Sequence, residues 1–189
     1  MTGKSLTKKF FDRPTLKVAH DLLGKFLVCK FGKKKITLLI TEVEAYDGLK
    51  DKASHAHRGL TERNKIMFGH AGIFYVYLTY GMHWMLNIVT GHPGYPAAIL
   101  IRGGYDLTNK RHVSGPGRLT KYLKINKGLN GRPASTKSGL WFEDRGYKIS
   151  SRNIKRTPRI GVDYAGLWAK KPYRFVITPK KLHQGENWY

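Results

Sequence analysis

Cysteine is almost absent: Cys29 stands alone among 189 residues, which excludes an intrachain disulfide and a cysteine-built zinc site and fits a reducing, intracellular setting. Acid is scarce too, with 12 Asp and Glu against 35 Lys and Arg, and the formal net charge is +23. Long apolar runs are missing. Without roughly 18 such residues in a row no helix is expected to cross a membrane, and no segment joins a basic face to a sustained apolar one as a membrane-surface helix would. The opening Met1-Thr-Gly-Lys-Ser-Leu6 has no apolar signal region, so secretion is not expected. No internal repeat or linker interrupts the chain, and residues 1–189 read as one domain.

What the chain does hold is aromatic. Eleven Tyr, 8 Phe and 4 Trp, within 41% hydrophobic residues, must pack somewhere, which rules out a disordered basic tail. A charge of +23 far exceeds the magnitude of about 2–8 that solubility needs. Its field gathers polyanions, above all nucleic acid.

Asp12 to Gly24 predicts a short helix, with Asp12 as cap, Pro14 in the first turn, Leu16, Ala19, Leu22 and Leu23 on one side and Gly24 as the stop. Lys25 to Cys29 and Ile36 to Tyr46 predict a hairpin across the basic turn 31–35. Asp47 to Asn64 is polar and irregular, either a floppy insertion or a functional loop. Ile73 to Tyr80 and His83 to Val89 predict a second hairpin, Ala97 to Ile101 a further strand, Ser114 to Leu123 a helix opened by Ser114 and Pro116, and Arg174 to Thr178 a late strand. Asn126 to Arg159 is basic and polar apart from Trp141-Phe142. The expected fold is α+β: a single compact domain with a largely antiparallel sheet and flanking helices.

Of the twelve acids, two sit inside an apolar strand. A period of two places Ile36, Leu38, Ile40, Glu42, Glu44 and Tyr46 on one face. A carboxylate buried there would have a raised pKa suited to general-base work; alternatively the strand end emerges into water with Glu42 and Glu44 bound to Arg or Lys. His55 and His57 follow closely, so a divalent-metal site is a third possibility, although the positive charge and the absence of a compact carboxylate cluster speak against it.

The second hairpin turns near Gly81 and Met82, which brings Tyr77 close to the partner of Leu86 or Asn87. Its tip carries Tyr80 and Met82 where Asn, Asp or Gly is usual. Such an apolar wedge can enter between base steps of a duplex. Tyr46, Tyr77 and His55 read as walls of a pocket near Glu44, and aromatic walls favour a stacked, positively charged base such as an alkylated purine.

Taken in order, Thr41-Glu-Val-Glu-Ala-Tyr46, His55, Arg63-Asn64, Met67-Phe68, Tyr75-Val-Tyr-Leu-Thr-Tyr-Gly-Met82, Asn87-Ile88, Leu100-Ile-Arg102, Ser114-Gly-Pro116, Arg159-Ile-Gly-Val162 and Trp168-Ala-Lys-Lys-Pro172 resemble the alkyladenine (3-methyladenine) DNA glycosylases that lack a helix-hairpin-helix motif. The resemblance covers nearly the whole chain, from about residue 12 to 177, is weak from Asn126 to Ile154, and gives that segment no role. It implies that Glu44 activates a water for attack at the sugar C1′, that Arg102 helps hold this water, and that the backbone carbonyl around Val162 gives a third contact. Tyr46, His55 and Tyr77 would line the pocket around a flipped base. Asn87 would sit at its floor and exclude guanine's exocyclic amine. Tyr80, with Met82 beside it on a protruding DNA-inserting hairpin, would fill the gap left in the duplex.

The implied partner is double-stranded DNA with alkylated or deaminated purines, attacked by a monomer without cofactor or metal. The compartment would be the cytoplasm, at the nucleoid, in a bacterium and the nucleus in a eukaryote. None of the residues to which the resemblance gives a role in the site is a lysine, so the enzyme should be monofunctional and leave an intact abasic strand. Two rivals remain at this stage. A noncatalytic nucleic-acid-binding protein would have no use for Glu44 beside phosphates, and a metal-dependent nuclease would lose its activity in EDTA.

Overall fold

Residues 3–177 are described by the structure, a computed structural model. In chain order come β1 (Lys4–Ser5), α1 (Lys8–Phe11), α2 (Thr15–Leu22), β2 (Phe26–Phe31) and β3 (Lys34–Asp47). Then follow β4 (Phe74–Thr79), β5 (His83–Val89), β6 (Ala97–Asp106), β7 (Arg111–Ser114) and α3 (Pro116–Tyr122). The last three are β8 (Leu140–Asp144), β9 (Ile154–Thr157) and β10 (Arg174–Ile177). The helix expected from Asp12 starts three residues later, because Pro14 occupies the cap position and Asp12 closes α1 instead. The helix after Ser114 likewise begins with Gly115 as its cap, while Ser114 still pairs in β7 with Gly103. Thr178, the expected end of the last strand, lies outside the described residues.

All ten strands join one sheet in which every described pair is antiparallel, along the path β1-β8-β2-β3-β6-β5-β4, with β7 on β6 and β10 between β3 and β9. The domain is α+β, as expected. Its main core unites Val18, Ala19 and Leu22 of α2 with Phe26, Leu38, Phe74, Ile88, Ile101, Leu119 of α3 and Phe142. Trp141 and Phe142, the aromatic pair in the segment to which no role was assigned, lie in β8, which pairs with β1 and β2 and is buried. That segment therefore supplies part of the core.

The central strand is β3. Its first half pairs with β2, its last with β10, and β6 runs along the other edge from Leu38 to Asp47. Glu42 and Glu44 thus have neighbours on both sides, and the strand does not emerge into water at that point. Beside them the register to β6 slips twice, leaving Thr41 and Arg102 without direct partners. Bulges of this kind re-aim a side chain. Gly103 and Gly104 permit the close approach: a Cβ at Gly103 would lie 3.2 Å from the Glu42 Cβ, and one at Gly104 would lie 3.0 Å from that of Leu38.

Candidate active site

A row of cross-strand partners crosses the sheet: Leu100 lies opposite Glu44, Asn87 opposite Leu100 and Tyr75 opposite Asn87. Direct partners share a face, so this face carries Glu44, Asn87 and Tyr75 together with Tyr77, Met85, Ala98 and Tyr46 one step along. Over it close the loop around His55, the hairpin tip and the turn Ile160–Tyr164. Between them is a cavity of about 340 Å³, within the range of roughly 300–1,000 Å³ typical of small-molecule sites. Tyr46, His55, Tyr77, Tyr80, Asn87, Arg102 and Val162 line it, joined by Met67, Tyr75 and Ile160, which lie in the matching motifs without an expected role, and by Tyr164. Met82 stays outside on the tip, exposed.

Glu44 sits behind this wall, 0% exposed. Its Oε1 accepts from the Ile160 backbone N–H (2.8 Å), and its Oε2 accepts from the Tyr46 hydroxyl (3.0 Å) and Arg102 Nη1 (3.2 Å). Burial pushes its carboxyl above the ordinary value, against the pull of Arg102, the Ile160 N–H and Tyr46. Glu42 goes the other way. Burial raises it, but hydrogen bonds from Arg174 Nε and Arg102 Nε, both 2.8 Å, outweigh burial and hold it low. The strand end does not emerge into water, although the arginine pairing expected with that alternative is present: Glu42, itself buried, is held by two arginines, and Glu44 is the fully buried carboxylate with a raised pKa.

Tyrosines and His55 dominate the walls beside Arg102. His55 shares a hydrogen bond through Nδ1 with the Tyr75 hydroxyl (2.9 Å), and its ring centroid lies 4.6 Å from that of Tyr77. Burial, helped by Arg63, lowers the His55 pKa and so favours the uncharged ring. The Arg63 guanidinium lies 5.4 Å over the Tyr77 ring. Asn87 spends its Nδ2 on the carbonyls of Tyr75 (3.0 Å) and Met85 (3.3 Å), which fixes the amide. The Val162 carbonyl accepts from Ala165 N–H (2.9 Å), leaving it one further lone pair.

The expected hairpin register needs correction. Tyr77 lies opposite Met85, and Tyr75 opposite Asn87, because the loop has three residues, Tyr80 to Met82. Tyr77 and Asn87 meet diagonally on one face. Tyr80 adopts φ 50° and is 85% exposed, a left-handed conformation that non-glycine residues rarely take and that concentrates at functional sites. The metal alternative finds no cluster: among the described residues no three of His, Cys, Asp and Glu gather to hold an ion, and His57 hydrogen-bonds the Leu49 carbonyl.

Known proteins match this chain along most of its length. The profile described as Methylpurine-DNA glycosylase (MPG) covers residues 9–181. A protein of Methanocella arvoryzae named "Putative 3-methyladenine DNA glycosylase" is 46% identical over 184 residues, 90% of each chain. Proteins of the same name are 43% identical in Myxococcus xanthus, over 91% of this chain and 89% of the relative, and 42% identical in Legionella pneumophila strain Lens, over 92% and 94%. With this coverage, the chain belongs to the methylpurine-DNA glycosylase family, DNA-repair hydrolases of N-glycosyl bonds.

Proposed function

We propose that the protein removes 3-methyladenine and related damaged purines, including hypoxanthine and ethenoadenine, from duplex DNA by flipping the nucleotide into the aromatic cavity and hydrolysing its N-glycosidic bond. The observation that carries this reading is Glu44, a buried carboxylate with a raised pKa directly behind a base-sized cavity. The positive surface holds the duplex through its phosphates. Tyr80 fills the gap that opens as the nucleotide turns out, with Met82 beside it, and extrusion costs least at a poorly paired lesion.

Tyr46 and Tyr77 stack on the flipped base beside His55, and Asn87 limits the space at the floor. A water held by Glu44, Arg102 and the Val162 carbonyl attacks C1′. Glu44 takes its proton while the C–N bond breaks with oxocarbenium-like character. A cationic base leaves without further protonation. Neither cofactor nor metal enters these steps, and a monomer in the compartment that holds the DNA suffices for them.

Single-turnover incubation with duplexes containing hypoxanthine or ethenoadenine, in EDTA, is expected to release the free base and leave a strand that breaks only on heating in alkali. Tight binding without release would overturn the reading, and breakage without alkali would overturn monofunctionality. The rate should also fall on the acid side, because only deprotonated Glu44 is a base. With its pKa raised, half-loss is expected above the value of about 4.3 for an ordinary glutamate. A rate-pH profile measured on duplex carrying a cationic alkylpurine, which needs no acid, checks the sign.

A further inference from the structure

Nine large apolar side chains are exposed among the described residues, and five of them, Tyr80, Met82, Ile160, Tyr164 and Leu167, belong to the hairpin tip and to the turn beside the cavity. Tyr80, Ile160 and Tyr164 all line its mouth. In the turn, Val162 and Ala165 point inward and pack with Ala53, together with half-buried Tyr46 and Trp168. The residues between them point out: Tyr164 is 73% and Leu167 80% exposed. The helical path of Asp163–Trp168 breaks at Gly166, φ 59°. Tyr164 is tied down through its hydroxyl, which donates to the Ala53 carbonyl (3.4 Å). Exposed Lys170 and Lys171 follow directly.

We infer that Tyr164 and Leu167 form a second apolar lip that packs against the sugar and base edges of the nucleotides flanking the extruded one, so that distorted DNA is gripped by this lip as well as by Tyr80. The inference rests on the proposed base-flipping function and adds residues for which that function has no role. The occupant follows from continuity with the cavity mouth and from charge. A chain of net charge +23 with exposed Lys170 and Lys171 beside the turn draws phosphates to this rim. Leu167, by contrast, has no polar side-chain atom and the Tyr164 hydroxyl donates to the Ala53 carbonyl, so their apolar surfaces meet the sugars and bases exposed where the duplex opens. Intact duplex offers them little. The lip therefore discriminates opened from closed DNA.

The test compares dissociation constants of the native protein, Tyr164→Ala/Leu167→Ala and Leu167→Ala for an intact duplex and for one with a tetrahydrofuran abasic analogue, between about 50 and 200 mM salt. Loss of two side chains that become buried against the opened DNA predicts about tenfold or more weaker binding of the abasic-analogue duplex by the double variant. Intact duplex should be bound nearly as before, with the salt slope unchanged because no phosphate contact is lost. Leu167→Ala, at a side chain too exposed to disturb folding, should lose less in the same direction. If the native protein distinguishes the two duplexes and the double variant keeps the whole distinction, or loses affinity for both equally, the lip is overturned alone. A native protein that does not distinguish them overturns the base-flipping function and the lip with it.

Discussion

Glu44→Gln is expected to slow base release by about 10²–10⁴-fold, the range that a general base contributes, while leaving the affinity for abasic-analogue duplex within a few-fold of native. The expectation comes from the contrast between two carboxylates two residues apart. Glu42 lies between Arg102 and Arg174, and its two 2.8 Å bonds to their Nε atoms hold its pKa low, so it is a poor base and a good anchor. Glu44 has one guanidinium contact, at 3.2 Å, and a pKa raised by burial. Gln keeps the shape and one acceptor but cannot take a proton. The acid limb of the rate-pH profile should therefore vanish with the rate. Base release by Glu44→Gln within a few-fold of native would remove Glu44 from the role of base.

Much of this was legible in the sequence because it rests on periodicity. Alternation in Ile36 to Tyr46 put Glu42, Glu44 and Tyr46 on one face, and the tip residues Tyr80 and Met82 departed from usual turn chemistry. What could not be read depends on distant chain. No local signal says that β10 covers the last half of β3, which is why Glu44 is buried instead of emerging into water. The Ile160 contact is made by a backbone N–H, which leaves no side-chain signature. Arg102 owes its place to a register slip between β3 and β6, and only family resemblance pointed to it. The hairpin error came from loop length: a three-residue loop shifts the pairing by one, and a shift of one exchanges faces.

The largest loss of stability is expected at a pair to which sequence reasoning assigned no role. Asp51 and Arg159 have fully buried side chains and bind through two hydrogen bonds, one of them Arg159 Nη2 to Asp51 Oδ1 at 2.8 Å. Asp51 also accepts from the backbone N–H groups of Asp47 and Ala53, and Arg159 donates to the carbonyls of Ala45 and Trp168. The guanidinium lies 4.8 Å over the Tyr46 ring, so one charge pair joins the loop that leads to His55, the turn that holds Ile160 and Val162, and a wall of the cavity.

Asp51→Ala would leave the Arg159 charge buried and unpaired, at a cost of about 3–5 kcal/mol. For a domain of this size that is about 6–20 °C in Tm. Asp51→Leu/Arg159→Met removes both charges and should cost much less than the sum of the single changes, because apolar replacement of a buried pair is often close to neutral. If Asp51→Ala does not fold, Asp51→Asn, which keeps the shape and one acceptor, reports the same effect at smaller size. Thermal unfolding of the native protein, Asp51→Leu, Arg159→Met and the double variant decides the matter. Single variants within about 1 kcal/mol of native would show that the pair contributes little, since most surface changes fall in that range. Additive losses in the double variant would show that the two residues act separately. In the expected case, the stability retained without the charges separates folding from function. The double variant, which still loses the four backbone bonds of the pair, should unfold above Asp51→Ala yet release base more slowly than native, because Tyr46 and the Ile160 turn have lost the clamp that sets them beside Glu44.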